Sequence, residues 1–483
     1  MKDPLEQLIS RRSFLRRGTC ATLGLSGLAS QLFTTRLVNA SLASQSFSDY
    51  KALVCIFLFG GNDNGNTLIP YDNGPQNYAF YAATRGALAL PQSALNNTII
   101  APSNTDGRRF ALHPALADMK QLFDQGHVAI VSNVGTLVEP ATKTQIVAHQ
   151  VKVPRQLFAH NWQQEQWQVS TADAVEKIGW GGRIADALEA AGANPAANVS
   201  MAISIVGSSI FLAGRDVVPY TVSPQGPKTL QSSGLGNSTE QAVVRQAYAD
   251  LLALQGNPSY AGRHAMQKAF ADVTQRAIVS SGVVQNLLTQ PTAITTPVPP
   301  NNGLAAQLHM VARLIEFAQS DLHHQRQVFF VATGGFDTHD GLLEGQHQVL
   351  LTGVNNALKF FWDALGELNM RDQVTTHTAS DFGRTYVSNG NGSDHGWGSD
   401  HFVMGGSQVA GGKLYGAYPD LTLDGSQDMG SGRYIPSHSV DEYAFELARW
   451  LGVPLSEMPM VFPNLTRFLD PQDPATHLGF MAH

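Results

Sequence analysis

The sequence has 483 residues, 43% hydrophobic and 14% charged, and is long enough to bury a large core. Its formal net charge of −7 and pI near 6.1 argue against a nucleic-acid partner, because binding a phosphate backbone calls for a basic face. The low charge and the 45 glycines suit a loop-rich exported α/β protein better than a coiled cytosolic one.

The chain opens with an address. Ser10-Arg11-Arg12-Ser13-Phe14-Leu15-Arg16 matches the twin-arginine export pattern. The apolar run Gly18 to Phe33 follows, and Val38-Asn39-Ala40 offers a small-residue cleavage site. Removing residues 1–40, with six basic and two acidic side chains, takes the net charge from −7 to −11. No other run approaches the ~20 apolar residues of a membrane span. The mature chain, 41–483, is therefore expected to be periplasmic or secreted, acidic and without a span. Cys20 leaves with the signal, and Cys55 remains as a lone core residue with no intramolecular disulfide available.

Lys51–Gly60 reads as a central strand buried on both faces, and Gly60-Gly61 turns it sharply to place Asn62 and Asp63 at its mouth. An Asx turn closing the strand explains that Asp63 equally well. His113-Pro114-Ala115-Leu116 opens an amphipathic helix through Phe123, and Val128–Val131 is the next core strand. Glu139 to Ser170 is polar, with Trp162 and Trp167 either lining a cleft or capping a helix. Trp180 starts a helix through Ala191, and Val199–Val206 with Ser208–Leu212 reads as a hairpin in an insertion. From Thr239 to Leu288 the apolar period lengthens to that of a helix, giving a helical insertion near 238–302 that ends in the proline-rich stretch Thr289–Asn302.

The helix Leu304–Leu322 then feeds the strand Val328–Val331, with His323-His324 expected at its last-turn carbonyls. That strand runs into two glycines and Asp337, His339 and Asp340. The β-prone run Gln373–Thr378 delivers Asp381, and the glycine-rich stretch to Gly406 adds Arg384, Asp394, His395, Asp400 and His401. Val440–Leu451 closes the chain as an amphipathic helix capped by Ser439. Strand–helix alternation along the whole mature chain predicts one α/β domain.

Three buried strands that each end in an acid point to a site at the carboxyl ends of a sheet. Carboxylates and imidazoles on rigid strand ends are what divalent cations need. Arg384, three residues after Asp381, has two jobs open to it. It can neutralise the strand-end acids, or its planar fork can grip a phosphate, sulfate or carboxylate.

The motifs GGND, GGFDTHD, ASDFGRT and GSDHGWGSDHFVMGGSQVAGGKLYG, in this order over Lys51 to about Gly452, resemble the bacterial domain-of-unknown-function family 1501, grouped with the alkaline-phosphatase-like fold and the sulfatases. The resemblance implies a three-layer α/β/α sandwich with a mostly parallel, doubly wound sheet. It also implies two metals (zinc, manganese or calcium) and hydrolysis of phosphate or sulfate esters. By position, it makes Asp63, Asp337, His339, Asp381, His395 and His401 metal ligands, with Phe382 where a histidine partner of Asp381 stands in the superfamily. The nucleophile belongs at a helix start between Ser132 and Gln166. There Ala159 replaces a serine, Thr142 and Thr144 are the substitutes, and His160 remains as acid/base or ligand. His160 and Arg384 are thus the catalytic candidates. The substrate class implied is an anionic small-molecule or glycan ester. The alternative is a degenerate member that binds an anionic glycan or a partner protein without turnover.

Overall fold

The computed structural model describes residues 47–482, apart from 73–76, 175–176 and most of 229–264. The expected export signal and the first part of the expected 238–302 insertion lie outside the described residues.

A mixed, mostly parallel sheet forms the centre. Its strands, in chain order, are β1 (Lys51–Leu58), β2 (Val128–Gly135), β3 (Ala202–Ser204), β4 (Tyr220–Thr221), β5 (Arg326–Thr333), β6 (Val374–Ser380), β7 (Ser399–Met404), β8 (Leu414–Gly416) and β9 (His438–Ser439). Among the described residues the spatial order is β8-β2-β7-β6-β1-β5-β3-β4, with β9 also paired to β2. Only β7 runs antiparallel to its neighbours, β6 and β2. The expected hairpin at Val199–Val206 is absent, because Ala202–Ser204 pairs in parallel with β5 and so belongs to the main sheet.

β1 shows why the sheet has helices on both sides. Ala52, Val54, Ile56 and Leu58 enter one apolar core, while Leu53, Cys55 and Phe57 enter the other. A strand buried on both faces must carry apolar residues at every buried position, and this one does from Ala52 to Leu58. The first core is covered by Gly303–Glu316 and Gln346–Glu367, and the second by Trp180–Ala190 and Val440–Leu451. The result is an α/β fold of three layers. Cys55 is free and buried, as expected, and burial pushes its thiol pKa up. His324 reaches away from its own helix to the Val199 carbonyl, 2.8 Å from Nε2, which differs from the expected last-turn role. No helix among the described residues is long and apolar enough to cross a membrane.

Register then sets the site. Leu58 pairs with Thr333 on one side and with Ser380 on the other, so β1, β5 and β6 end level. Asp63, Asp337 and Asp381 follow within five residues of those ends. The antiparallel ribbon Arg384–Ser388 with Ser393–His395 then brings the late histidine back over the same edge.

Candidate metal centre

Four side chains meet at this edge: His160, Asp337, His339 and His395, with ligand-capable atoms all within 4.8 Å of one another. His160 is the first residue of the helix His160–Val169, Asp337 and His339 follow β5, and His395 ends the ribbon.

Each imidazole has one nitrogen already committed. His160 Nδ1 lies 2.6 Å from Asp381 Oδ2, His339 Nδ1 3.0 Å from Asp394 Oδ1, and His395 Nδ1 2.6 Å from the Phe158 carbonyl oxygen. An ionised carboxylate and a carbonyl only accept, so each neutral ring donates from Nδ1–H and turns a bare Nε2 inward. Those three nitrogens surround one carboxylate oxygen. Asp337 Oδ1 is 3.2 Å from His160 Nε2, 3.2 Å from His339 Nε2 and 3.4 Å from His395 Nε2. Ligand atoms about 2.0–2.1 Å from a tetrahedral ion stand about 3.3 Å apart. The three spacings to Asp337 Oδ1 match that, while the set as a whole spans up to 4.8 Å and would draw in around an ion.

The interior of the cluster calls for positive charge. His339 Nε2 and His395 Nε2 are 2.7 Å apart, too close for two lone pairs without a proton or a cation between them. His160 Nε2 is buried with no hydrogen-bond partner. Burial holds the His395 pKa below its ordinary value, and the neighbouring His160 and Arg384 add to this, so a proton there is disfavoured. For His160, burial also opposes the charged form, but Asp381 and Asp337 outweigh it and raise its pKa. At Asp337, burial favours the acid, yet Arg384 and His160 hold the carboxyl below the usual range. A hydrogen bond from Asn389, with help from His339, does the same for Asp394. The acceptor-rich donor set and its outer hydrogen bonds fit a divalent cation.

Other expected site residues lie elsewhere. Asp63 does not join the cluster. Its carboxylate pairs with Arg85 at 2.5 Å, both side chains fully buried, and Arg85 also donates to the Thr385 and Tyr386 carbonyls. An internal guanidinium thus stands where a first-strand metal was expected. Asp381 is fully buried behind His160 and accepts from Gln164 Nε2 at 2.7 Å, so it holds the His160 ring and does not sit among the four. His401 faces the second core, with its ring 4.7 Å from Trp167 and 5.7 Å from Tyr443. Trp167 itself is a core residue and does not line a cleft.

Arg384 settles into the structural of its two jobs. It is 1% exposed, and its guanidinium donates to Asp337 Oδ1 and to the carbonyls of Gly60, Phe336 and Ser393, leaving no fork for an anion. Ala159 is the N-cap of its helix, with no side-chain cap, and Thr142 caps the exposed helix Lys143–Val147 through its own Gln145. Phe158, Gln164 and Arg85 were not singled out from sequence. A carbonyl acceptor carries no side-chain signature, while the arginine and the glutamine sit 22 residues after Asp63 and 217 before Asp381, linked only by folding.

The model of one family, "Protein of unknown function (DUF1501)", matches residues 50–431. No curated protein matches the chain. Among solved structures, "Crystal structure of Ps i-CgsB in complex with k-i-k-neocarrahexaose" is similar at 10% identity and a TM-score of 0.33, covering 88% of this chain and 78% of that one.

Proposed function

This chain belongs to the DUF1501 family, and from its imidazole–carboxylate cluster we propose that it is an exported, metal-dependent hydrolase of phosphate or sulfate esters. The observation that carries the reading is the convergence of three imidazole Nε2 atoms on Asp337 Oδ1, with every Nδ1 held from behind. Three nitrogens and one carboxylate favour zinc over calcium, which takes roughly six to eight oxygens, and over manganese, which prefers oxygen donors. His160, Asp337, His339 and His395 would hold such an ion, and Lewis-acid chemistry toward an ester oxygen is what it would supply there.

The protein's own residues orient and expose this centre. Asp381 and Asp394 hold the rings of His160 and His339, and Arg384 tethers Asp337 to the floor made by Gly60 and Phe336. The Asp337 and His339 side chains are 48% and 42% exposed, so a substrate reaches the cluster from that side. Ala159 brings a methyl group to the helix start, so no covalent ester forms at that position.

The methyl at 159, which leaves no nucleophile at that helix start, favours a second reading in which an anionic glycan or a partner protein is bound without turnover. Metal analysis of purified protein together with turnover of aryl phosphate and aryl sulfate separates them. About one zinc per chain, with turnover lost in His395→Ala and Asp337→Asn, supports the hydrolase. Protein without turnover leaves the binding reading, and protein that stays metal-free after zinc loading sinks the hydrolase. Export rests on Arg11 and Arg12. Replacing both with Lys should leave unprocessed precursor in the cytoplasm, and normal cleavage near Ala40 would count against it.

A further inference from the structure

We infer that Arg433 is a positioning residue of this metal centre, acting on His395 from both ends of the hydrogen bond that aims its ring; the inference rests on the metal reading above. Arg433 Nε donates to the main-chain carbonyl of His395 at 2.8 Å. Its guanidinium carbon lies 5.3 Å from the centre of the Phe158 ring, within reach of a cation–π contact. Phe158 is the residue whose carbonyl accepts the His395 Nδ1–H at 2.6 Å. One side chain therefore touches the backbone that carries the imidazole and the residue whose carbonyl accepts its N–H hydrogen bond.

Both contacted parts need a brace. Phe158 has φ +71°, a left-handed conformation that an aromatic L residue rarely adopts, and its N–H is held by Gln163 Oε1 at 2.8 Å. His395 ends a short two-stranded ribbon whose register shifts between Arg384 and Ser388, so strand pairing alone sets its ring angle poorly. Arg433 is itself anchored. Its N–H donates to Asp428 Oδ1 at 3.0 Å and its Nη1 to the Gly430 carbonyl at 3.2 Å. The same buried Asp428 carboxylate gathers the N–H groups of Asp424, Gly430 and Gly432. The loop is thus a fixed platform from which a planar cation reaches the metal centre without touching the metal. Arg433 also lies just past the stretch matched by the family, 50–431.

Loss of an outer contact that orients a ligating histidine typically weakens metal binding about 10–100-fold. Zinc affinity, read by competition with a chelating dye, is compared for the wild type, Arg433→Met, Arg433→Lys and Phe158→Leu. Urea unfolding of each metal-free protein runs alongside. Arg433→Met should bind zinc about 10–100-fold more weakly while its metal-free unfolding midpoint stays put. Arg433→Lys should fail to rescue it, because an ammonium offers neither the planar face nor the Nε–H. Phe158→Leu keeps the carbonyl and loses the ring, so a smaller loss is expected. Wild-type zinc affinity in Arg433→Met, or an affinity loss that merely tracks lost metal-free stability, overturns the inference. So does an Arg433→Met protein that fails to fold alongside a Phe158→Leu protein of wild-type affinity. A wild-type protein that takes up no zinc overturns the metal reading itself.

Discussion

Asp63, Asp337 and Asp381 each follow a buried strand, and their partners give them three different roles. Asp337 faces three imidazoles, Asp381 holds one of those imidazoles from behind, and Asp63 neutralises Arg85. The last of these makes a sharp prediction. Burial works against the charge on Arg85, and the Asp63 carboxylate overcomes it, raising the guanidinium pKa. Asp63→Asn leaves that cation uncompensated in the core, a loss of about 3–5 kcal/mol of stability for a broken buried pair. Urea denaturation should show this loss, while zinc content per folded chain stays at the wild-type level. A fall in zinc with stability intact would return Asp63 to the ligand set.

At the scale of elements, the helix His160–Val169 joins the site to the core. Its first residue, His160, belongs to the four-residue cluster, Gln164 on the next turn supports Asp381, and Trp167 packs among Tyr443 and His401. Its start is weakly specified, because the Ala159 side chain at the N-cap offers no acceptor to the first turn. The backbone there is extended, with φ −106° and ψ 125°, the geometry a capping serine uses. Ala159→Ser should therefore stabilise the protein by roughly 1 kcal/mol, seen as a higher urea midpoint. Unchanged or reduced stability would mean that the hydroxyl cannot reach the free N–H groups. The strands at this edge were legible in the sequence because an apolar run ending in Gly-Gly or in an acid has few other readings. The short strand at Ala202–Ser204 was not, since three residues carry no period and their pairing with β5 is a long-range choice.

Over the whole molecule, four buried histidines weaken the fold as the pH falls, opposed by two buried acids, Asp400 and Asp441, whose pKa values burial raises to about 6 and about 8. His113, His347, His377 and His401 have pKa values lowered to about 3, each chiefly by burial. Between their ordinary value of 6.5 and about 3, the unfolded chain binds protons that the folded chain refuses. The stability they support is therefore full above about pH 6.5 and lost progressively as the pH falls towards 3. Each such group adds a slope of up to about 1.4 kcal/mol per pH unit. Urea midpoints of metal-free protein should drop steadily from pH 6.5 to pH 4.5, and His401→Phe should flatten the drop. A flat profile across that window would show these rings to be protonated or solvated in the folded state.

The sequence by itself determined an α/β plan, the edge at which polar chemistry gathers, and Asp337, His339 and His395 as members of that gathering. Those features follow from local pattern: continuous apolar runs make buried strands, and the residues just past their ends have only the sheet edge to occupy. Which acid meets an imidazole and which meets a guanidinium was decided by tertiary structure alone. Asp63 and Arg85 are 22 positions apart, and His160 and Asp381 are 221 apart. In a buried, weakly screening interior each carboxylate must find a positive or donating partner. The nearest one in space, which local pattern does not encode, sets its role.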